Sequence, residues 1–394
     1  MALGALISAY QEDDSGGLRA MLPLAGRTLL EYQARCVAAA GAAPVVVLVD
    51  RLPQGFREAC ERLRLDGIGV FPVSDVNEAV SRFEAGSMIL VVGDGIVPPA
   101  ELVAQLAEEM APAVATVPDD EAHAAFERID AQARWAGVAA VDARLLGSTA
   151  AMLGDWDLQS TLLRRTIQEG AIRVPVGEGG AEPLLADSAE QLEGFQRGLI
   201  HASRGSRNDW ASRFLLPPVE ELATIQLLET SVRPGWLIWA ALALTLGAGI
   251  AFTRGWLGAG LAMLLLSAPL DLVAARLATV RLRPLPARLI SRSALWPAAG
   301  AALAGLGWWL SRDGEVWGTL VTAAATLAFA EALRMESAQL PPDLEVWLFS
   351  RRNAIFAAIP FARAGAWTAF LLAMLAYAAV SFFLVQHLRN KHSS

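Results

Sequence analysis

Several residue types are scarce in this sequence, and their absence narrows what the protein does. The 394 residues include only two cysteines, Cys36 and Cys60, in predicted helices, so we expect buried reduced thiols rather than a disulfide. Two cysteines also cannot supply a metal-ligand cluster. The one lysine, Lys391, lies at the far terminus. The net charge of −8, with no basic stripe interleaved with aromatic residues, argues against nucleic acid as a partner.

The first residues, MALGALISAY, lack the basic start and the cleavage site of a signal peptide. We therefore expect the first domain to stay in the cytoplasm.

The composition divides the chain into two halves. Hydrophobic residues make up 54% and charged residues 18% of the sequence, which is too apolar for an ordinary soluble enzyme. The excess apolar residues begin at Pro234, where carboxylates nearly vanish. We predict a cytoplasmic domain over residues 1–203, a linker with a juxtamembrane helix over 204–233, and a membrane domain over 234–394.

The membrane half contains five long apolar segments. They cover residues 234–253, 255–275, 293–311, 316–333 and 354–385. The last is longer than one helix needs, so we divide it near Arg363 and Gly365 and predict six spans. Arginines cluster before the first span, between spans two and three and after span four, and Arg389 with Lys391 follows span six. The positive-inside rule then predicts an inner-membrane protein with both termini in the cytoplasm.

The segment between the halves, DWASRFLLPPVEELATIQLLETSV (209–232), carries leucine and isoleucine around acidic positions. This pattern suits a helix lying along the membrane surface, and equally a linker helix packed on protein.

In the first half, short apolar runs alternate with helical patterns. The runs ALGALISAY, APVVVLVD and SMILVVGDG predict buried parallel strands with crossover helices, and hence a three-layer α/β sandwich. Ligands of such sheets bind at the carboxyl ends of the strands. We expect the first strand to end at Tyr10 and the third at Asp94. Asp94 is placed like a metal or ribose ligand, or like an aspartate that caps the next segment.

Both halves resemble known families. LRAMLPLAGRTLLEYQ (18–33) resembles the pattern that follows the glycine-rich loop of sugar-phosphate nucleotidyltransferases, and 135–146 and 183–192 resemble later strand-helix landmarks of that family. The segment 212–236 resembles the start of a CDP-alcohol phosphotransferase domain. Together the halves resemble bifunctional inositol-1-phosphate cytidylyltransferase/CDP-inositol phosphotransferases.

The catalytic motif of the membrane family is degenerate in this chain. The family pattern D-x-x-D-G-x-x-A-R-x(8–9)-G-x-x-x-D-x-x-x-D holds divalent metal through four aspartates. Asp271 and Arg276 match its second aspartate and its arginine, but Ala268 and Leu272 replace its first aspartate and the following glycine. The stretch 278–296 contains no carboxylate. We interpret Asp271 and Arg276 as motif remnants, retained as an ion pair that spares both charges from lipid.

The nucleotidyltransferase resemblance implies a glycine-rich phosphate loop followed by a lysine. The chain has YQEDDSGG (10–17) instead, whose three acidic residues are expected to face the phosphates and repel them. Arg19 stands in place of the lysine, and Arg19 and Asp94 are weak candidates for nucleotide binding. The family's second metal-binding aspartate aligns with Leu185. Asp187 is interpreted as part of a helix capping box.

Three functions are compatible with this pattern. The first is a pseudoenzyme of phospholipid head-group metabolism that acts as a scaffold, regulatory or lipid-binding subunit. The second is an active enzyme of the same class with relocated ligands, the one case in which Mg²⁺ or Mn²⁺ is expected as a cofactor. The third is lipid binding or transport. Membrane lipid and an enzyme of lipid synthesis are the expected partners.

We also predict a homodimer through spans three and four. Small residues recur along one face of GAALAGLG (300–307), at Gly300, Ala304 and Gly307. Such a face lets helix backbones approach closely in lipid, either between two copies or inside one bundle.

Overall fold

The computed structural model describes residues 2–154, 156–176, 182–205, 207–228, 230, 232–283, 290–312, 318–336 and 342–392. The chain divides into two compact units. Unit 1 comprises Met1–Leu199 with Arg281–Arg283, and unit 2 comprises Ile200–Val280 with Pro284–Ser394.

Unit 1 alternates strands and helices. Its strands are β1 (Leu3–Ser8), β2 (Pro23–Leu24), β3 (Arg27–Thr28), β4 (Val45–Leu48), β5 (Val70–Val73), β6 (Met88–Val92), β7 (Ile96–Val97), β8 (Ala113–Pro118), β9 (Ala133–Asp142), β10 (Ile172–Pro175) and β11 (Leu184–Leu185). Its helices are α1 (Leu29–Ala39), α2 (Gln54–Leu65), α3 (Val76–Ser81), α4 (Ala100–Glu108), α5 (Ala143–Ala150), α6 (Leu158–Gln168) and α7 (Ala189–Ala202), the last of which continues into unit 2.

Seven strands form one sheet in the order β10-β8-β9-β6-β1-β4-β5. Strand β9 runs antiparallel to β6 and β8, and the remaining pairs are parallel. The prediction of parallel strands for the three apolar runs, which form β1, β4 and β6, is confirmed. The central strands are apolar and buried throughout because helices cover them. Helix α1 contacts α2 and α4, and α5 contacts α3 and α6, which leaves the sheet between two helix groups.

The predicted strand ends are two residues too late. Strand β1 ends at Ser8 rather than Tyr10, and β6 ends at Val92 rather than Asp94. Both predicted terminal residues therefore belong to loops at the carboxyl edge of the sheet, where α/β proteins bind ligands.

Unit 2 is helical. After a short π-helical turn (Ala211–Leu215), its helices are α8 (Pro217–Leu228), α9 (Pro234–Thr253), α10 (Leu257–Val280), α11 (Ile290–Arg312), α12 (Gly318–Glu336), α13 (Pro342–Glu345), α14 (Arg351–Arg363) and α15 (Trp367–His392). Helix α9 packs on α10 and α11, α12 packs on α11 and α15, and α14 packs on α10 and α15.

Three helices of the described chain are long and apolar enough to cross a membrane. They are Pro234–Thr253, Leu257–Val280 and Trp367–Arg389. Helices also form over the other predicted spans, and the last predicted segment breaks between Arg363 and Trp367, where Gly365 adopts a φ of +69°. Helix α14 has 13 residues, about 20 Å at 1.5 Å per residue, which is shorter than the roughly 30 Å of a bilayer core.

The segment predicted to lie on the membrane or to pack on protein forms α8. Glu220, Thr224 and Leu228, spaced four apart, are buried, and α8 contacts α10 within unit 2. On its other side Leu222 and Ile225 are exposed. The helix therefore packs on protein along one face and presents apolar side chains along another.

Small residues allow close helix packing within unit 2. A Cβ added at Gly307 would lie 2.9 Å from Ala323 Cβ, and one added at Gly300 would lie 3.2 Å from Leu327 Cδ2. The dimer prediction rests on this face of α11. At both glycines the face packs against α12 of the same chain. Ala304 lies in an open groove between α11 and α12.

Candidate functional site

The loop after β1 is closed by one of its own carboxylates. Asp13 Oδ1 accepts hydrogen bonds from Ser15 N at 2.8 Å, Ser15 Oγ at 2.7 Å and Gly17 N at 2.8 Å. These bonds, that of the Ser15 hydroxyl first, hold the pKa of Asp13 below its usual range. Gly16 adopts a φ of +79°, a left-handed conformation that suits glycine. Backbone donors of the kind that cradle phosphates elsewhere are therefore occupied by the chain itself.

Two of the three acidic side chains that are expected to face an incoming phosphate have partners within the chain. Asp13 turns onto its own loop, and Glu12 pairs with Arg51 at 2.8 Å. Arg51 also donates to Gly16 O at 2.8 Å, which ties the loop to the segment after β4. Asp14 is exposed.

Asp94 lies after β6 and is 2% exposed. Its Oδ2 accepts hydrogen bonds from Tyr10 N at 2.6 Å and Gln11 N at 2.7 Å, so its carboxylate binds the loop after β1. Burial raises the pKa of Asp94 to about 6, although these two hydrogen bonds and the charge of Arg19 oppose the rise. Among the described residues its Oδ1 has no hydrogen-bond partner.

Arg19 connects the loop to a later part of the chain. Its Nη2 lies 2.8 Å from Asp187 Oδ1, its Nη1 donates to Gln11 Oε1 at 2.7 Å, and its Nε donates to Glu12 O at 3.1 Å. Asp187 reaches this position because β11 pairs with β7 and Ala186 N donates to Gly95 O at 2.8 Å.

Gly95 makes this approach of the two segments possible. It adopts a φ of +70°, and a Cβ at this position would lie 2.9 Å from Ala186 O. Any larger residue would therefore push the segment that carries Asp187 away from Asp94.

Sequence reasoning missed the role of Asp187. Helix α7 begins two residues after it, at Ala189, and Gln191 Oε1 accepts from Asp187 N, while the Asp187 carboxylate pairs with Arg19. The capping-box interpretation is therefore incomplete. The sequence signal for this role was the position of Asp187, two residues after Leu185, with which the family's second metal-binding aspartate aligns. The fold thus brings Arg19, Asp94 and Asp187 to one edge of the sheet.

A second polar group borders this edge. The Tyr10 hydroxyl donates to Asp157 Oδ1 at 2.8 Å, and Asp94 N donates to Gln159 Oε1 at 3.3 Å. Burial, followed by the hydrogen bond to Asp157, raises the pKa of Tyr10 well above its usual value, so the phenol stays protonated at neutral pH.

Few carboxylates at this edge of the sheet are placed to hold a metal ion. No cluster of three or more histidine, cysteine, aspartate or glutamate side chains with metal-binding geometry occurs among the residues that the structure describes. Asp94 and Asp187 lie at this edge, and a hard cation held by only two carboxylates would take further oxygens from a ligand such as a phosphate.

In unit 2 the predicted ion pair between Asp271 and Arg276 is not formed. Asp271 Oδ1 accepts from Arg351 Nη2 at 3.1 Å, and Asp271 Oδ2 accepts from Arg352 Nη2 at 2.5 Å. Asp271 and Arg276 are five positions apart on α10, whereas helical neighbours on one face are three or four apart.

Arg276 lies in a different environment. It is 2% exposed, donates from Nη2 to Ile200 O at 2.8 Å, and lies 3.9 Å from Glu220. Arg207 holds the same glutamate with two hydrogen bonds of 2.8 Å and 2.6 Å. Asp271 and Arg276 are therefore parts of separate charged clusters.

The cluster around Asp271 includes residues that sequence reasoning did not identify. Arg352 Nη1 donates to Asp209 Oδ2 at 2.8 Å, and the fully buried Asn353 accepts from Ala211 N at 3.2 Å and donates to Leu348 O at 2.9 Å. These bonds join the segment before α8 to α10 and α14. The basic pair at the start of α14 was the only sequence signal for them.

Comparison with known proteins bears on the N-terminal half of the chain. Residues 15–208 match the family of MobA-like NTP transferase domains. A structure described as a glucose-1-phosphate thymidylyltransferase from Bacillus anthracis, in complex with a sucrose, aligns with 50% of this chain and 94% of its own, at 9% identity and a TM-score of 0.40. No curated protein matches the chain. The N-terminal half of the chain is thus a nucleotidyltransferase-like α/β domain.

Proposed function

We propose that the protein is a membrane-embedded pseudoenzyme of phospholipid head-group metabolism, which acts as a scaffold, regulatory or lipid-binding subunit. The observation that carries this proposal is the position of Asp13. Its carboxylate accepts hydrogen bonds from the backbone N–H groups of Ser15 and Gly17. A phosphate could bind these N–H groups only by displacing the Asp13 carboxylate.

The position of Arg19 supports the same conclusion. A basic residue that neutralises a triphosphate must be able to turn toward it, whereas the Arg19 guanidinium already donates to Gln11 and Glu12 O and pairs with Asp187. Breaking charge-assisted bonds of this kind costs roughly 1.5–3 kcal/mol each when the groups are buried, and less here because both partners are partly exposed.

The helical unit fits a degenerate CDP-alcohol phosphotransferase. Both oxygens of Asp271 accept hydrogen bonds from arginines, so the one aspartate that matches the family motif is neutralised by Arg351 and Arg352. A carboxylate held in this way competes poorly for a divalent cation, which needs negatively charged oxygen ligands. This supports a structural role for Asp271.

We propose that unit 2 lies in the inner membrane with six helices and with both termini in the cytoplasm. The three helices that are long and apolar enough to cross a bilayer support a membrane location, and the arginine distribution supports the orientation. Labelling of single cysteines placed at the two termini, in intact and in permeabilised cells, tests the orientation. Labelling of either terminus from the outside of intact cells would contradict it.

Calorimetry with the purified full-length protein tests the pseudoenzyme proposal. With Mg²⁺ and CTP we expect no saturable binding at micromolar concentrations. We expect Asp13→Ala to bind CTP at least about tenfold more tightly, because it frees two backbone donors and removes a negative charge. Asp14→Ala is the matched control, since Asp14 carries the same charge on the same loop and is exposed. Micromolar CTP affinity of the unaltered protein would refute the proposal.

A second candidate is an active enzyme with relocated ligands. Two observations favour it: Asp94 Oδ1 lacks a partner in the described chain, and the bond from Ala186 N to Gly95 O brings Asp187 to the same edge of the sheet. On this alternative, Mg²⁺ or Mn²⁺ with a cytidine nucleotide would raise the melting temperature of the protein, and Asp94→Asn would abolish the increase. The pseudoenzyme proposal expects no such increase.

The homodimer remains part of the proposal. Gly300 and Gly307 pack against α12 of the same chain, so a second copy would use the neighbouring surface around Ala304. Close helix approach at small residues is the form of association available in lipid.

A further inference from the structure

Five arginines of unit 1 lie close together, and we call them the arginine cluster. They come from β3, α1, α2 and the segment after α10, and are Arg27, Arg35, Arg62, Arg281 and Arg283. The fully buried Glu31 accepts hydrogen bonds from Arg62 at 3.1 Å and 2.9 Å and lies 3.9 Å from Arg35. Asp66 accepts from Arg35 Nη2 at 2.7 Å and from Arg283 Nη2. Two carboxylates therefore connect three of the arginines.

Arg27 has no acidic partner of its own in this cluster. Among the described residues its guanidinium makes no hydrogen bond and no ion pair. Burial lowers the pKa of Arg27, the positive charges of Arg62 and Arg35 lower it further, and the charge of Glu31 opposes them. Arg27 thus adds a positive charge that the described part of the chain does not pair.

Arg281 adds a buried charge to the same cluster. It is 4% exposed. Burial, followed by the charges of Arg27 and Arg35, lowers the pKa of Arg281 to about 10, so its guanidinium stays protonated at neutral pH. Leu282 beside it adopts a φ of +47°, a left-handed conformation that a leucine keeps only where the surrounding contacts hold it. The chain therefore keeps this segment in the cluster at a conformational cost.

The arginine cluster contains more positive than negative charge. Glu31 and Asp66 lie within it, and Glu58 acts on Arg62 from an exposed position of α2. Five arginines with these three carboxylates leave a surplus of two positive charges in the described part of the chain. A surplus of one sign is costly where the groups are partly buried, and binding an anion removes the cost.

Solvent reaches the cluster at three of its members. The side chains of Arg62 and Arg283 are 34% and 22% exposed, and Arg27 is half-buried. A phosphate group offers several oxygens that accept from two or more guanidinium groups at once, and a phosphate monoester carries about two negative charges at neutral pH. Its geometry and its charge therefore both match the cluster.

The cluster is connected to the end of a helix that is long and apolar enough to cross a membrane. Arg281 follows Val280, the last residue of α10, and Arg283 comes two residues later, so both lie within about 10 Å of the helix end. In the orientation proposed for unit 2, this end lies on the cytoplasmic side, at the level of the lipid phosphates. Arginines clustered directly beyond a membrane-spanning helix attract acidic lipids. An acidic lipid is therefore the nearest source of a phosphate group.

We infer that the arginine cluster binds the phosphate group of an acidic membrane lipid. The inference deepens the lipid-binding part of the proposed function and rests on the proposed membrane location. It does not depend on the edge of the sheet that carries Asp94. Free phosphate shares the chemistry of the lipid head group, so the experiment separates these two sources.

The test uses delipidated full-length protein in detergent micelles with three radiolabelled probes of the same acyl chains: dioleoylphosphatidate, dioleoylphosphatidylcholine and dioleoylglycerol. We expect saturable retention of the phosphatidate, at least about tenfold tighter than that of the zwitterionic lipid or the uncharged glyceride, because only the phosphatidate brings surplus negative charge. Inorganic phosphate at the same concentration is expected not to displace the phosphatidate. Displacement by it would overturn the lipid as the source.

The variant Arg27→Gln locates the site. We expect it to weaken retention of the phosphatidate about fivefold, the factor that one juxtamembrane arginine contributes, and to leave that of dioleoylglycerol unchanged. Without lipid its melting temperature should be equal to or above that of the unaltered protein, because Arg27 has no partner to lose and its removal relieves repulsion with Arg35 and Arg62. Arg57→Gln is the matched control, since it removes the same charge from an exposed position of α2 and should leave retention unchanged.

Equal retention of the phosphatidate and dioleoylglycerol would overturn the inference, as would equal weakening by Arg27→Gln and Arg57→Gln. A lower melting temperature of Arg27→Gln with unchanged retention would assign Arg27 a structural role and would also overturn it. The comparison of probes on the unaltered protein needs no variant. Membrane fractionation and CTP calorimetry test the proposed function separately, so a failure of probe binding with normal fractionation would refute the lipid site alone.

Discussion

The buried carboxylate of Asp94 makes the stability of the N-terminal domain depend on pH in an identifiable way. Burial raises the pKa of Asp94 from 3.8 to about 6. The folded domain therefore holds this proton at pH values where the unfolded chain has released it. The stabilisation from Asp94 is fully present below pH 3.8 and is lost as the pH rises through about 6.

The magnitude follows from these two pKa values. At 1.36 kcal/mol per pKa unit, their difference corresponds to roughly 3 kcal/mol in total, of which roughly 2 kcal/mol is lost between pH 4.5 and 7.5. Solvent screening reduces this little, because Asp94 is only 2% exposed. Asp94→Asn does not titrate, so the free energy of unfolding of the variant minus that of the unaltered protein should rise by roughly 2 kcal/mol over this pH range.

Pulse proteolysis of the full-length protein after equilibration in urea measures this free energy for the N-terminal domain. The quantity to follow is the change with pH in the difference between the two free energies of unfolding. The other titrating groups contribute equally to both proteins, and the cost of burying the asparagine amide does not change with pH. A difference that stays within about 0.5 kcal/mol between pH 4.5 and 7.5 would show that the desolvation argument for Asp94 is wrong.

Further predictions concern both units. Glu31 is fully buried and pairs with Arg62 at 2.9 Å, so Glu31→Ala should lower the free energy of unfolding by roughly 3–5 kcal/mol in urea titrations, against less than about 0.5 kcal/mol for the exposed Glu58→Ala. Asp271→Asn should lower thermal stability and expression, because two arginines lose their shared partner; unchanged stability with loss of a measured transferase activity would instead assign it to catalysis. A cysteine at position 304 (Ala304→Cys) should form disulfide-linked dimers in native membranes, and its failure to do so in a folded protein would remove this interface.

Patterns along the sequence were sufficient for most of the helices and strands. Alternation of apolar runs with helical periodicity predicted the α/β domain, since buried strands and amphipathic helices each leave a local pattern. The change in composition at Pro234 coincides with the start of α9, and the break near Gly365 separates α14 from α15. Strand ends were less accurate because they depend on loop hydrogen bonds, such as those from Tyr10 N and Gln11 N to Asp94.

Only the tertiary structure decided which charged groups meet. The pairs Arg19–Asp187 and Arg352–Asp209 join residues far apart in the chain, and no local periodicity encodes them. The sequence identified Asp13 as an acidic residue in a phosphate loop, but its orientation follows from the fold of that loop around Gly16. Composition and periodicity are local properties and determined the elements, whereas a binding site is a set of distances between elements and is determined by how they pack.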